Sequence, residues 1–316
     1  MTTVAVARHA MATRFEIVLH GGDPAALRAA GEEALDEIER LEARLSLYRP
    51  TSEIAHVNAR AAVAPVRVSP EVFGLVERAQ RLWSETEGAF DITVGPLMRC
   101  WGFMGGNGRM PEPAALAEAR SRVGMHWVEL DSQRFTIRFH RDGVMLDLGA
   151  IGKGYAIDVA AGILREAGVQ SAFLHGGTST IYALGKPPDR EAWKAAVERP
   201  PVDPAGEPEL LAVVPLCDEA LSVSAVWGKA FQTANKTFGH VIDPRTGEPT
   251  QAAMLAAVAL PDATDTDALS TALLTAGPGG VEAMTRSRPG MRSVVLFPGA
   301  EGGLRRIAHG LSLAPA

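Results

Sequence analysis

The chain has 316 residues, 47% apolar and 22% charged, an ordinary globular composition with enough length for a sizeable core. Its 31 basic and 37 acidic residues leave a net charge of −6, which is not the footprint of a nucleic-acid binder. Two widely separated cysteines, Cys100 and Cys217, exclude a disulfide framework or a cysteine-based zinc site.

The opening residues hold no apolar leader segment, since His9 and Arg14 interrupt them, so a cytoplasmic protein is expected. Asp23 as cap and Pro24 at the first helical position begin a helix over 23–45, with Leu27, Ala34, Leu35, Ile38, Leu41 and Leu45 on one face. Ser69-Pro70 opens a second, with Val72, Leu75, Val76, Ala79, Leu82 and Trp83 as its stripe and Gly88 as its expected C-terminal cap. A third is expected from Glu112 to about Arg122. Residues 128–139 alternate, turn at Asp131-Ser132-Gln133 and alternate again, which predicts a hairpin. A strand over 144–148 then feeds a glycine-rich turn and a helix from about Gly154 to Ala167, followed by a short buried strand over 171–174. The prolines crowded into 186–215 predict mostly loop around one strand at 193–197. Expected strands at 252–259 and 293–297 flank a helix over about 267–275. The first of these is about half the ~20 residues that a membrane span needs. Hairpins mixed with helices point to α+β rather than strictly alternating α/β.

Four stretches hold side chains or backbone suited to chemistry. In Asp147-Leu148-Gly149-Ala150-Ile151-Gly152-Lys153-Gly154, glycines at a strand-to-helix junction let backbone approach a ligand, and the helix start favours an anion. It is not a P-loop, because Asp147 falls where the first glycine belongs and Gly154 where the hydroxyl residue belongs. The other reading is a tight packing turn. In the stretch over 262–271, Asp267 and Thr271 lie four apart on one helix face, hard oxygens that suit Mg²⁺. Aspartates and threonines there also serve simply as caps. His240 stands just before the turn Asp243-Pro244-Arg245-Thr246-Gly247, either as a structural residue or as a catalyst. Residues 88–97 form an apolar loop with one carboxylate, Asp91.

Taken in this order, GAFDITVGPL, DLGAIGKGYA and HVIDPRTG, with Met11-Ala12-Thr13-Arg14-Phe15, Leu45-Ser46-Leu47-Tyr48, Ser52-Glu53-Ile54, Asn58 and Asp267 to Thr271, make the chain resemble the ApbE family of FAD:protein FMN transferases. The resemblance implies an α+β, T-fold-like architecture of largely antiparallel sheets packed with helices, with an active-site cleft between subdomains. One domain over 1–316 is expected, or two intertwined subdomains. It further implies that FAD contacts Met11, Tyr48, Ala89, Phe90, Asp91, Asp147, Lys153, His240 and Val241. The carbonyl of Ala150 and the side chains of Asp267 and Thr271 would hold Mg²⁺. The implied reaction moves FMN from FAD to a threonine or serine hydroxyl of an acceptor protein and releases AMP. His240 is the expected base, because an imidazole exchanges a proton near neutral pH, and Asp267 is the second expected catalytic residue. FAD hydrolysis to FMN and AMP, or flavin binding and delivery without turnover, are the alternatives.

The chain departs from the family pattern at five positions. Ala12 replaces a usual glycine, Thr178 a usual aspartate, Ala225 a glycine, and Trp227 a tyrosine with Lys229 following in place of arginine. Ala225 and Trp227 are expected to reshape the acceptor side of the cleft.

Overall fold

The computed structural model describes residues 1–106, 108–200, 207–228, 230–233, 237–299 and 303–314. Its centre is an eight-stranded sheet in the order Thr2–Ala10, Thr13–Gly21, Ser171–Gly176, Thr180–Leu184, Glu219–Ala225, Leu255–Leu260, Arg292–Pro298 and Leu304–His309. Every neighbouring pair is antiparallel, and spatial order follows chain order, so the sheet is a meander interrupted by insertions. The expected α+β class with largely antiparallel sheets is therefore correct.

Three helices cover one face: Pro24–Leu45, Gly152–Glu166 and Ala263–Ala276. Val4, Val6, Phe15, Ile17 and Leu19, alternate residues of the first hairpin, turn their side chains into this layer. Asp23 accepts from the Ala25 and Ala26 amides at 2.9 and 3.3 Å, the expected cap on the first helix. The last of the three is sandwiched between the sheet and its neighbours, so it is buried nearly all round although half of its residues are polar, among them the buried Thr264, Asp265, Thr266, Asp267, Ser270 and Thr275. The opposite sheet face is covered by a hairpin, Trp193–Arg199 with Glu209–Leu216. Val197, Leu211, Val214 and Leu216 of the hairpin pack on Leu221, Leu255, Ala257 and Leu296. Strand Leu255–Leu260 is buried along its whole length because both faces are covered. No helix among the described residues is long and apolar enough to cross a membrane.

The structure corrects several expected elements. The proline-rich segment holds two paired strands rather than one, because its buried apolar residues gain a sheet face to pack on. Residues 144–148 are not a strand: beyond a single bridge from Met145 to Val94, the Asn58 amide satisfies both backbone groups of Leu146, at 2.7 and 2.9 Å. The second helix ends at Glu85 with Thr86 as cap, and Gly88 (φ +76°) lies in the turn beyond. Helices Pro113–Arg120, Gly152–Glu166 and Ala263–Ala276 differ by up to four residues from their expected bounds. Lys229 lies outside the described residues.

The first hairpin turns at Met11 and Ala12, with φ of 49° and 59°, the two left-handed residues of a type I′ turn. A side chain at Ala12 costs roughly 1–2 kcal/mol there. Part of this is offset by the extra unfolded-chain entropy of glycine, about 0.4–1 kcal/mol. Ala12→Gly is therefore expected to stabilise the protein by about 0.5–1 kcal/mol, read as a higher urea midpoint; a lower midpoint would contradict the turn assignment.

Candidate active site

The start of helix Ala263–Ala276 sorts its three aspartates by task. Asp262 caps the helix, accepting from the Asp265 amide at 3.0 Å. Asp265 accepts from Arg78 at 2.6 Å and pairs with Arg288 at 2.8 Å. Asp158, from helix Gly152–Glu166, accepts from the Ala263 and Thr264 amides, both at 2.8 Å. Burial, and then Asp262 beside it, push the Asp158 carboxyl up to about 7. These groups fix the helix end. Asp267, one turn further, faces a cavity instead.

Asp267 is buried, and its carboxylate is held from two sides. Oδ2 accepts from the Gly154 amide at 3.0 Å, and Oδ1 accepts from the Thr180 hydroxyl at 3.1 Å. The Lys153 ammonium stands 3.9 Å from Oδ2. Thr271 follows one turn later, its hydroxyl 3.1 Å from that of Ser224. The late helix approaches the glycine-rich turn this closely because Gly154 has no side chain. A Cβ there would lie 2.2 Å from the Ala263 carbonyl oxygen and 2.8 Å from the Asp267 Cβ.

The turn itself is set by Asp147, whose Oδ1 accepts from the Gly149 amide at 2.8 Å. Its backbone amide donates to the Ile92 carbonyl at 2.7 Å, so residues 89–92 and the glycine turn are tied together. Burial raises the Asp147 carboxyl, partly offset by the Gly149 amide and Lys153. A further tie runs from Thr275 of the late helix, whose hydroxyl donates to the Ala89 carbonyl at 2.7 Å.

A cavity of about 880 Å³ joins these parts. It is lined by Tyr48, by Ala89, Phe90 and Asp91, by Asp147, Ala150 and Lys153, by His240 and Val241, and by Asp267 and Thr271. All the residues expected at the site therefore meet in one place, except Met11. Met11 sits in the turn of the first hairpin, partly packed against the main core, and is not among the lining residues. A two-residue hairpin turn fixes its backbone, and that placement leaves it outside the wall. His240 meets Phe103 edge-on, with ring centroids 6.5 Å apart.

Several wall residues were not expected at the site: Met98, Phe103, Ser179, Glu198 and Arg199. Glu198 and Arg199 come from the hairpin that the prolines concealed, and Phe103 follows the Trp101-Gly102 pair beside the expected loop. Thr178, Ala225 and Trp227, three of the departures noted above, also line the cavity.

Asp91 accepts from the Thr93 amide at 2.7 Å and the Thr93 hydroxyl at 2.6 Å, and burial pushes its carboxyl up to about 6. An unfolded aspartate titrates near 4, so the folded state binds the proton more tightly. The stabilisation is complete below about pH 4 and is lost as pH rises through about 6, roughly 2–3 kcal/mol in all. Denaturant midpoints measured from pH 4 to 7 are expected to fall more for the wild type than for Asp91→Asn. Parallel curves would contradict the assignment.

The ApbE family model matches residues 11–295. The chain belongs to the ApbE family. Relatives named FAD:protein FMN transferase include one from Haemophilus influenzae, 32% identical over 267 residues, covering 81% of this chain and 76% of that one. Another, from Treponema pallidum, is 31% identical over 290 residues, covering 87% and 79%. Among solved structures, the Pseudomonas stutzeri flavinyl transferase ApbE superposes with a TM-score of 0.85 at 26% identity, covering 98% of this chain and 95% of that one. The ApbE protein of Thermotoga maritima gives 0.84 at 26% identity, covering 96% and 97%. Apart from the stretch at Met11, the main motifs of this chain thus converge on one cavity, and Thr178, Ala225 and Trp227 fall on the wall of that same cavity.

Proposed function

We propose that this protein transfers FMN from FAD to a threonine or serine hydroxyl of an acceptor protein, with Mg²⁺, releasing AMP. The observation that carries this reading is the contact between the glycine turn and the late helix, the Gly154 amide 3.0 Å from Asp267 Oδ2. It sets the glycine turn, with the Lys153 ammonium suited to a phosphate, beside a carboxylate suited to a cation on the same cavity.

The donor set fits such a cation. Asp267, the Thr271 hydroxyl and the Ala150 carbonyl are hard oxygens on one cavity. Among the described residues no group of three His, Cys, Asp or Glu could hold a metal. One carboxylate with neutral oxygens suits Mg²⁺, which keeps water and leans on substrate phosphates rather than on an all-protein cage. When bound, Mg²⁺ supplies neutralisation of charge developing on the phosphate oxygens.

The chain's own residues would do the rest. Lys153 orients the dinucleotide over the glycine turn, and Tyr48, Ala89, Phe90, Asp91, Asp147 and Val241 surround the flavin nucleotide. The acceptor hydroxyl oxygen bonds to the FMN-side phosphorus, and the bond from that phosphorus to the bridging oxygen breaks. AMP leaves with the bridging oxygen. His240 takes the hydroxyl proton, which requires an imidazole within reach of the acceptor oxygen.

The test is incubation with FAD, Mg²⁺ and a hydroxyl-bearing acceptor protein, reading acceptor mass and AMP together. One FMN adduct per AMP is expected. AMP with free FMN and an unmodified acceptor would instead establish FAD hydrolysis, and FAD retained without AMP would establish a binding protein. A His240→Ala variant that transfers at the full rate at saturating FAD would remove His240 as the base.

A further inference from the structure

We infer that Thr180 is a positioning residue for the metal carboxylate, an inference that rests on the proposed Mg²⁺ site. Neither composition nor motif singles it out. Its place follows from the sheet. A three-residue turn after strand Ser171–Gly176 makes Thr180 the first residue of strand Thr180–Leu184, directly opposite Ser222 of the next strand. Both side chains are fully buried.

The directions of the hydrogen bonds are forced. An ionised carboxylate only accepts, so at 3.1 Å the Thr180 hydroxyl must donate to Asp267 Oδ1. With its one proton committed, Thr180 accepts from the Ser222 hydroxyl at 3.3 Å. The Gly154 amide donates to the other oxygen, Oδ2. Asp267 is thereby gripped at each oxygen by a group that cannot rotate away: one is backbone, the other a β-branched side chain stiff about its first torsion. Each oxygen keeps lone-pair capacity for a cation. Outer-shell partners of this kind change metal affinity by about 10–100-fold when removed.

The test is Mn²⁺ binding to the full chain in the presence of FAD, followed by electron paramagnetic resonance, for the wild type, Thr180→Val, Thr180→Ser and Ser222→Ala. Thr180→Val keeps the shape and removes the donor, so its Mn²⁺ affinity is expected to fall about tenfold. Thr180→Ser restores the hydroxyl and is expected within about twofold of wild type. Ser222→Ala leaves the Thr180 donor in place and is expected to weaken binding less than Thr180→Val does. FAD binding without metal, read by flavin fluorescence, is expected to be unchanged in all four. Equal Mn²⁺ affinity for wild type and Thr180→Val would overturn the inference while leaving the metal site intact. If Thr180→Val does not fold, wild-type affinity in Ser222→Ala together with a tenfold loss in Thr180→Ser would overturn it. A wild type that binds no Mn²⁺ beside FAD would overturn the metal reading and this one together.

Discussion

Asp267→Asn is expected to lower FMN transfer about a thousandfold while leaving the protein folded. Asparagine matches aspartate in volume and can still accept the Gly154 amide that now meets Asp267 Oδ2 at 3.0 Å. The Thr180 oxygen stays in place and only its proton need turn for it to accept from the new amide, so stability is expected within about 1 kcal/mol of wild type. What disappears is the only charged donor of the proposed cation site. A bound divalent ion contributes several kcal/mol to stabilising charge on transferring phosphate, and about 4 kcal/mol corresponds to about a thousandfold in rate. AMP release followed across a Mg²⁺ titration, with a thermal melt alongside, checks both halves. An unchanged titration would remove Asp267 from the metal site.

The second large effect is expected at Gly154, and it is structural first. Alanine there gains helix propensity worth about 1 kcal/mol. Against this, its Cβ would sit 2.2 Å from the Ala263 carbonyl oxygen, which is backbone of the facing helix and cannot swing aside. Overpacking costs about 1–3 kcal/mol where side chains can adjust, so a rigid contact of this kind lies at or above the top of that range. Gly154→Ala is expected to lose about 3 kcal/mol or more in urea unfolding. The same parting of helices displaces Asp267 from the glycine turn, so half-saturation by Mg²⁺ should also rise. Stability equal to wild type would contradict the close packing of these two helices.

Much of the helical layer was legible in the sequence because its signals are local. Asp23-Pro24 and Ser69-Pro70 cap what they were expected to cap, and the hairpin over 128–139 pairs as its alternation implied. The first hairpin carried the same period-two signal in Phe15, Ile17 and Leu19, yet it was not among the expected elements. The stretch over 144–148 misled for a different reason: its backbone is satisfied by the side chain of Asn58, 88 residues away, and no local pattern reveals that.

The site was legible as a set of stretches and not as a geometry. The sequence offered three aspartates at 262, 265 and 267 with two readings, cap or metal. The cap falls to Asp262, while Asp267 faces the cavity where the proposed metal would sit, and the division depends on Arg78, Arg288 and Asp158, all distant in the chain. Thr180 and the cavity wall from residues 198–199 were invisible for the same reason, since sheet register and a proline-masked hairpin bring them in.

The most direct test is the anomalous diffraction of a crystal grown with FAD and Mn²⁺. The account predicts one manganese peak within coordination distance of the Asp267 carboxylate and the Ala150 carbonyl, touching the pyrophosphate of an FAD seated over the glycine turn. An FAD bound elsewhere, or a manganese remote from Asp267 while FAD fills the cavity, would contradict it.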